Sequence, residues 1–350
     1  MRILYGVQAT GNGHITRARV MAPALAAAGL QVDYLFSGRE ADKYFNMEPF
    51  GDYQTRRGLT FALRHGKVDW WRTLRSLHLR EYWRDQRELD LSGYDLVLSD
   101  FEPVSAWAAR KQGVPSIGIA HQYAFLYPVP GHVRAGSMAK MVRLFAPVDN
   151  AIGLHWHHFD QPILPPMIQP PSLAPRHERD KILVYLPFDP LDQLERRFQP
   201  LGDYQFYIYT GVDKPEDRGN LHIRPFSRDG FQHDLASCAG VICNSGFGLI
   251  SEAIQYGKKV LTQPLKGQLE QLSNARVLER LGLAVVLERH DPKMLAEWLE
   301  RGAPEPQLYP DVAGALSQWI ATGATTPARD LAQALWQTSE MPARASVCNG

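Results

Sequence analysis

The segment VQATGNGHITRARVM, Val7 to Met21, combines a strand end, a tight glycine loop and the start of a helix, with His14 directly after Gly13. An imidazole delivered on such a loop can act as a base, and glycine loops in that place also cradle phosphate. Gly11 and Gly13 fill the first two positions of a dinucleotide fingerprint, but the third falls on Thr16. Asp33 lies inside the following strand and Glu40 lies past Gly38, so the carboxylate of that fingerprint is missing too. The plainer alternative is a tight turn in which His14 caps the helix.

A second loop, CNSGFGLISEAIQYGKKVLTQP, places Asn244, Ser245 and Gly246 after a short apolar strand, with a helix from about Gly248 to Tyr256. Small residues at a helix start expose backbone N–H groups that, with the helix dipole, suit a diphosphate. Glu252, one to two turns in, can accept two hydroxyl donors, as a ribose diol requires; the alternative is a solvated surface carboxylate. In KGQLEQLSNARVLERLG, Glu270 and Gln271 open another helix. Such a pair can hold sugar hydroxyls or simply compensate the dipole.

These loops need a frame, and the apolar runs supply one. Arg2–Gln8, Gln31–Ser37, Tyr94–Ser99 and Pro115–Ala120 read as strands, with helices over Ile15–Ala28 and up to Gly113. Strand–helix–strand alternation means a parallel sheet with crossover helices. The proline-dense QPILPPMIQPPSLAP reads as a stiff extended linker. The alternation then resumes with Lys181–Leu186, Leu191–Phe198, Tyr204–Thr210, Leu221–Arg224, Gly240–Cys243, Lys259–Thr262 and Ala284–Leu287, and two amphipathic helices follow Tyr309. The expected organisation is a Rossmann-like domain over 1–157, a linker over 158–178, a second Rossmann-like domain over 179–306, and C-terminal helices over 307–350. Ligands of such sheets lie beyond the strands' carboxyl ends, which places the expected site in a cleft between the two domains.

Composition narrows the function. With 38 basic and 37 acidic residues among 350, the chain has no overall pull toward nucleic acid. Three cysteines form neither a disulfide framework nor a zinc spacing, and fit a reducing compartment. No apolar run approaches ~20 residues, and MRILYGVQ is too short for a signal peptide, so a cytoplasmic protein is expected.

Taken in order, Ser245-Gly246, Glu252-Ala253, Gly257, Pro264, Glu270-Gln271 and Asn274-Ala275, together with GNGHITRARVMAPALAAAG, resemble the signature of inverting GT-B glycosyltransferases. These include the UDP-dependent small-molecule glycosyltransferases and the N-acetylglucosaminyltransferase of the peptidoglycan precursor (families 1 and 28). Only this family resemblance implies that the C-terminal helices over 307–350 return to the first domain. The resemblance implies that Glu252 binds the ribose and Glu270 and Gln271 the donor sugar. It implies that backbone from Ser245 through Phe247 to Gly248 holds the diphosphate, and that the loop at Phe226 grips the base. It also implies that His14 is the general base, oriented by Asp100, with Glu102 as the competing partner. Asp100 could instead cap the helix near Pro103. His121 ends the next strand and could reach acceptor or donor phosphate, or could be a structural histidine; Gly11, Asn12 and Gly13 would bring backbone to the sugar-phosphate.

Departures from the pattern matter. Asn244 stands where plant enzymes have a phosphate-contacting histidine and retaining enzymes a glutamate, which favours inversion. No Asp-any-Asp metal clamp is present, so neither metal nor cofactor is expected and the nucleotide sugar, most simply a UDP sugar, is a substrate. The acceptor is not legible. Residues 56–87 are rich in Arg and Trp, with Trp70, Leu74 and Leu77 on one helical face and Arg72, Arg75, Arg80 and Arg84 around it. That segment could bind a phosphate-bearing or lipid-linked acceptor, rest on the inner face of a membrane, or simply pack on its own domain. A 2-epimerase of the same fold and a non-catalytic nucleotide-sugar binder are the alternative functions.

Overall fold

A computed structural model describes residues 1–40, 43–44, 46–59, 63–64, 67–68, 79–171, 173–287 and 291–339. Trp70, Arg72, Leu74, Arg75 and Leu77 lie outside the described residues, as does the tail from 340. The chain divides into two units: one built from residues 1–62, 68–169 and 309–339, the other chiefly from 170–308.

The first unit is a six-stranded sheet of β1 (Arg2–Gln8), β2 (Gln31–Ser37), β3 (Gln54–Arg56), β6 (Leu96–Asp100), β7 (Ser116–Ala120) and β8 (Asn150–Gly153) in the order β3-β2-β1-β6-β7-β8. Between them in sequence, β4 (Leu63–Arg64) and β5 (Lys67–Val68) pair separately. Every pair in the six-stranded sheet is parallel, so the strands' carboxyl ends share one edge. The apolar runs of β1 and β6 fit that arrangement, since both faces are covered. Register sets Val7 opposite Asp100, and this brings the loop after β1 beside the end of β6. β1 and the helix Pro103–Gln112 approach so closely that a Cβ on Gly6 would sit 2.0 Å from Ser105 Oγ; only glycine fits there.

The helix after β1 runs Asn12–Ala27, three residues earlier than the apolar periodicity indicates. Gly11 is its N-cap and no side chain caps it, so the alternative in which His14 only caps the helix is not formed. The proline-dense stretch is not simply a linker: Ile163–Met167 is buried, Leu164 bridges to Leu154, and Trp336 Nε1 donates to the Ile163 carbonyl at 2.6 Å. Helices Val312–Ala321 and Ala328–Gln337 pack within this same unit, the former against Asn12–Ala27.

The second unit holds β9 (Glu178–Tyr185), β10 (Gln205–Tyr209), β11 (Glu216–Arg218), β12 (Leu221–Arg224), β13 (Cys238–Asn244), β14 (Lys259–Gln263) and β15 (Val285–Val286). Their order is β11-β12-β10-β9-β13-β14-β15, parallel except for the β11–β12 hairpin. Ile182, Val184, Phe206, Ile242 and Leu261 of the sheet pack with Leu194, Phe198 and Trp298 of flanking helices. Buried lysines cross-link the rest. Lys258 Nζ donates to the carbonyls of Ala236 and Arg176, while Lys259 Nζ donates to those of Leu299 and Arg301 at the end of helix Pro292–Leu299. Each places a cation beside a carbonyl of a helix's last residues, Ala236 or Leu299, where the helix dipole favours positive charge.

Candidate active site

At the carboxyl edge of the first sheet, His14 sits in the first turn of its helix and Asp100 ends β6. His14 Nδ1 is 2.6 Å from Asp100 Oδ1. Arg17, one turn further along the same helix, donates from Nε to Asp100 Oδ2 at 2.7 Å and from Nη2 to Oδ1. The Asp100 side chain is fully buried and that of Arg17 is 7% exposed, whereas that of His14 is 13% exposed. Burial alone pushes the Asp100 carboxyl up, but Arg17 and His14 beside it reverse this and hold it below the usual carboxylate range.

Glu102 is not the partner of His14. Phe101 takes a left-handed backbone, φ 53°, and the chain turns so that the two carboxylates part. Glu102 caps the helix Pro103–Gln112, accepting from Val104 N at 2.8 Å and Ser105 N at 2.6 Å, and from Ser37 Oγ at 2.6 Å. The cap is therefore Glu102 and not Asp100. Burial raises the Glu102 carboxyl, opposed by the bonds from Ser105 and Ser37. His121 is also removed from any exposed role: it is 1% exposed, donates through Nδ1 to the Leu154 carbonyl at 2.8 Å, and packs among Phe125, His155 and Trp156. Gly11, Asn12 and Gly13 are exposed, and Asn12 Oδ1 accepts from Arg39 Nη2. Open space surrounds both glycines, so the backbone at this helix start is uncovered.

In the second unit, β13 ends at Asn244 and the chain turns through Gly246 into the helix Phe247–Gln255, which no side chain caps. The loop is pinned from the protein side. Asn244 Nδ2 donates to the Gln263 carbonyl, Ser245 Oγ meets Thr262 Oγ1 at 2.9 Å, and Asn274 Nδ2 donates to the Ser245 carbonyl. Those side chains face the fold; what the segment through Gly248 can offer a ligand is backbone N–H. Glu252 is not a solvated surface residue: it is 9% exposed and accepts from Gln232 Nε2 at 2.8 Å. Burial raises its carboxyl, with Gln232 and Arg228 opposing. Gln271 Oε1 accepts from Leu265 N at 2.9 Å, so this amide braces the turn before its helix while neighbouring Glu270 is half-buried. Phe226 is 53% exposed, edge-on to Tyr185 at 6.2 Å. Among the described residues no cluster of His, Cys, Asp and Glu is placed to hold a metal ion.

The family model for glycosyl transferase family 1 matches residues 1–302. The chain belongs to that family. It is a glycosyltransferase, and its fold is GT-B. The glycosyltransferase is 31% identical over 130 residues to the UDP-N-acetylglucosamine–N-acetylmuramyl-(pentapeptide) pyrophosphoryl-undecaprenol N-acetylglucosamine transferase of Rhodopseudomonas palustris (strain BisA53). That match covers 36% of this chain and 33% of the relative's length. Similar solved structures include LpCGTa in complex with UDP, with a TM-score of 0.59, 14% identity and 99% of both chains covered. Another is SsfS6 of Streptomyces sp. SF2575 complexed with thymidine diphosphate, with a TM-score of 0.58, 17% identity, and 96% of this chain and 99% of that one covered.

Two partners in this glycosyltransferase escaped sequence reading. Arg17 stands three residues after His14, on the same helical face, and that spacing was the available signal. Gln232 lies on the preceding helix, 20 positions before Glu252, and nothing local marks it.

Proposed function

We propose that this enzyme is an inverting glycosyltransferase that moves a hexose or N-acetylhexosamine from a nucleoside-diphosphate sugar, with UDP as nucleotide, to an acceptor hydroxyl. His14 acts as general base and Asp100 orients it. The acceptor O–H proton passes to His14 Nε2 while the acceptor oxygen attacks the anomeric carbon. The bond from that carbon to the phosphate oxygen breaks, and the nucleoside diphosphate leaves with the electron pair. The N–H groups at the start of Phe247–Gln255 meet the leaving-group charge without requiring a metal or cofactor. Glu252 holds the ribose hydroxyls, Glu270 the donor sugar, and Phe226 lies beside the base. Gln271 then acts indirectly, by shaping the turn at Leu265.

The observation that carries the reading is the 2.6 Å contact of His14 with a buried, ionised Asp100 at the open edge of a parallel sheet. A neutral imidazole held this way by a carboxylate is a competent base toward an alcohol. UDP and thymidine diphosphate in structures of the same fold support a nucleotide-linked donor. A thermal-shift panel of UDP, TDP and GDP sugars identifies the donor, since a ligand of the native state raises Tm. His14→Ala should then lower transfer by about a hundred- to ten-thousand-fold with donor affinity retained. Unchanged transfer removes His14 as the base.

For the acceptor, a lipid-linked or phosphate-bearing molecule fits the partial relative, whose name carries an undecaprenol acceptor. In the described part of 56–87, Leu79 and Trp83 are about half exposed, on a helix that carries Arg80, Arg84 and Arg87. Trp83 also borders an apolar groove of about 500 Å³ with Trp107 and Leu144. This face would rest on the inner surface of an anionic membrane, from the cytoplasm. No helix among the described residues is long and apolar enough to cross one. Failure to bind phosphatidylglycerol vesicles at moderate salt would leave a soluble acceptor.

A further inference from the structure

We infer that Arg17 is a positioning residue of the transfer reaction: it clamps Asp100 so that His14 keeps its proton on Nδ1 and presents a bare Nε2. The inference rests on His14 being the base. Nδ1 of His14 has two polar neighbours of opposite character, the Asp100 carboxylate at 2.6 Å and Arg17 Nη2 at 2.9 Å. Arg17 can only donate and an ionised carboxylate can only accept. If Nδ1 lacked a proton, it would face Asp100 lone pair to lone pair at hydrogen-bond distance. With the proton on Nδ1 the bond to Asp100 is satisfied, and Arg17 directs its own donors to both oxygens of the same carboxylate. Only Nε2 remains to receive a proton from the acceptor.

Arg17 also tempers the charge that His14 meets. An unopposed Asp100 would stabilise imidazolium strongly, and a protonated His14 is no base. Arg17 neutralises that carboxylate and stands beside the ring itself. The other ionisable groups at the site leave this balance in place. Tyr5, buried under Asp100 and Arg17, is held protonated by burial and by Asp100. Tyr123 on the neighbouring element is likewise held protonated by burial, and its hydroxyl donates to the Ala146 carbonyl. Glu102 is committed to Ser37 and the helix start, and Arg39 to Asn12.

The test uses the full chain and needs no acceptor. Long-range proton–nitrogen NMR of the imidazole rings, with His14→Ala to assign the signal, reads the tautomer and titration of His14. UDP release from UDP-N-acetylglucosamine to water reads its function. The expected wild-type signal is the Nδ1–H tautomer. In Arg17→Met the His14 titration and the acid limb of UDP release should both move up by about one pH unit or more. In Arg17→Lys, which keeps the cation and loses the fork, the limb should stay near wild type while kcat falls and KM for the donor holds. An Nε2–H tautomer in the wild type, or a titration that Arg17→Met leaves in place, overturns the proposal even if His14 proves to be the base. Should Arg17→Met fail to fold, the wild-type tautomer and the Arg17→Lys split of kcat from KM still decide it. UDP release undiminished in His14→Ala would instead overturn the base itself, a separate outcome from the tautomer result.

Discussion

Asp100 and Glu252 are both buried carboxylates near the carboxyl ends of parallel strands, yet their surroundings are opposite. Asp100 meets a guanidinium and an imidazole and is held below the usual carboxylate range. Glu252 accepts from a neutral amide, Gln232, and burial raises it, with Gln232 and the more distant charge of Arg228 too weak to reverse the shift. The first is a finished electrostatic unit, assembled before any ligand arrives. The second lacks donors that a ligand's hydroxyl groups could supply. This contrast matches the proposed roles: preorganisation suits a group that supports proton transfer, and an under-supplied carboxylate suits one that binds hydroxyl groups.

Removing the Asp100 charge is the severest way to break this contrast. Asp100→Asn leaves Arg17 buried without its counter-charge, at a cost of about 3–5 kcal/mol in stability. Transfer should fall by about a hundred- to ten-thousand-fold with nucleotide affinity little changed. Because the Asp100 carboxyl is lowered in the folded state, its contribution to stability is present above the unfolded value and lost as pH falls through the folded one. Chemical denaturation of wild type and variant should therefore converge on acidification. A constant gap would mean that Arg17 and His14 do not govern Asp100.

Glu252→Gln should behave with the opposite sign. A carboxyl raised by burial favours folding below its unfolded value and loses that contribution as pH rises through the folded one. The neutral variant should therefore gain on the wild type in stability as pH rises. Nucleotide affinity should drop about ten- to a hundred-fold, the loss of charge-assisted hydrogen bonds from the ribose. In the wild type, hydroxyl donors favour the ionised carboxylate, so binding should release protons and weaken as the solution is acidified. Calorimetry in buffers of different ionisation enthalpy measures that release; none at any pH would take Glu252 out of the nucleotide site.

β1 was legible because both faces of a parallel sheet are covered and its apolar run is nearly continuous; β2, apolar towards its end, and β12, which alternates, also fall at the bounds expected for them. The start of the helix Asn12–Ala27 was not, because its N-cap is Gly11 and its first turn contains Gly13, neither of which carries a helix signal. The short edge strand β8 (Asn150–Gly153) and the helix Arg228–Ser237 were missed for the related reason that their sequences carry weak periodicity. Among the candidate residues, type and place pointed to His14 and Glu252 and the family resemblance pointed to Asp100, but their partners depended on long-range packing. Nothing in the local sequence marks Arg17 as buried; it is buried where it meets Asp100 at the end of β6. His121 has the right type at the right strand end, and the turn His121–Leu126 folds it into the core.

The smallest predicted effect sharpens the division of labour between Asp100 and Glu102, two residues apart in SDFEP. The left-handed turn at Phe101 separates them, so that one faces His14 and the other faces the amides of Val104 and Ser105. Glu102→Gln preserves volume and one acceptor oxygen but replaces the other with a donor facing those amides. The expected cost is about 1 kcal/mol in stability, that of a weakened N-cap. The acid limb of transfer should stay in place, because the groups that face His14 are untouched. If Glu102→Gln instead moved that limb as far as a change at Arg17, the electrostatic unit would extend beyond Asp100. The helix cap would then belong to the proton-transfer machinery and not only to the scaffold beneath it.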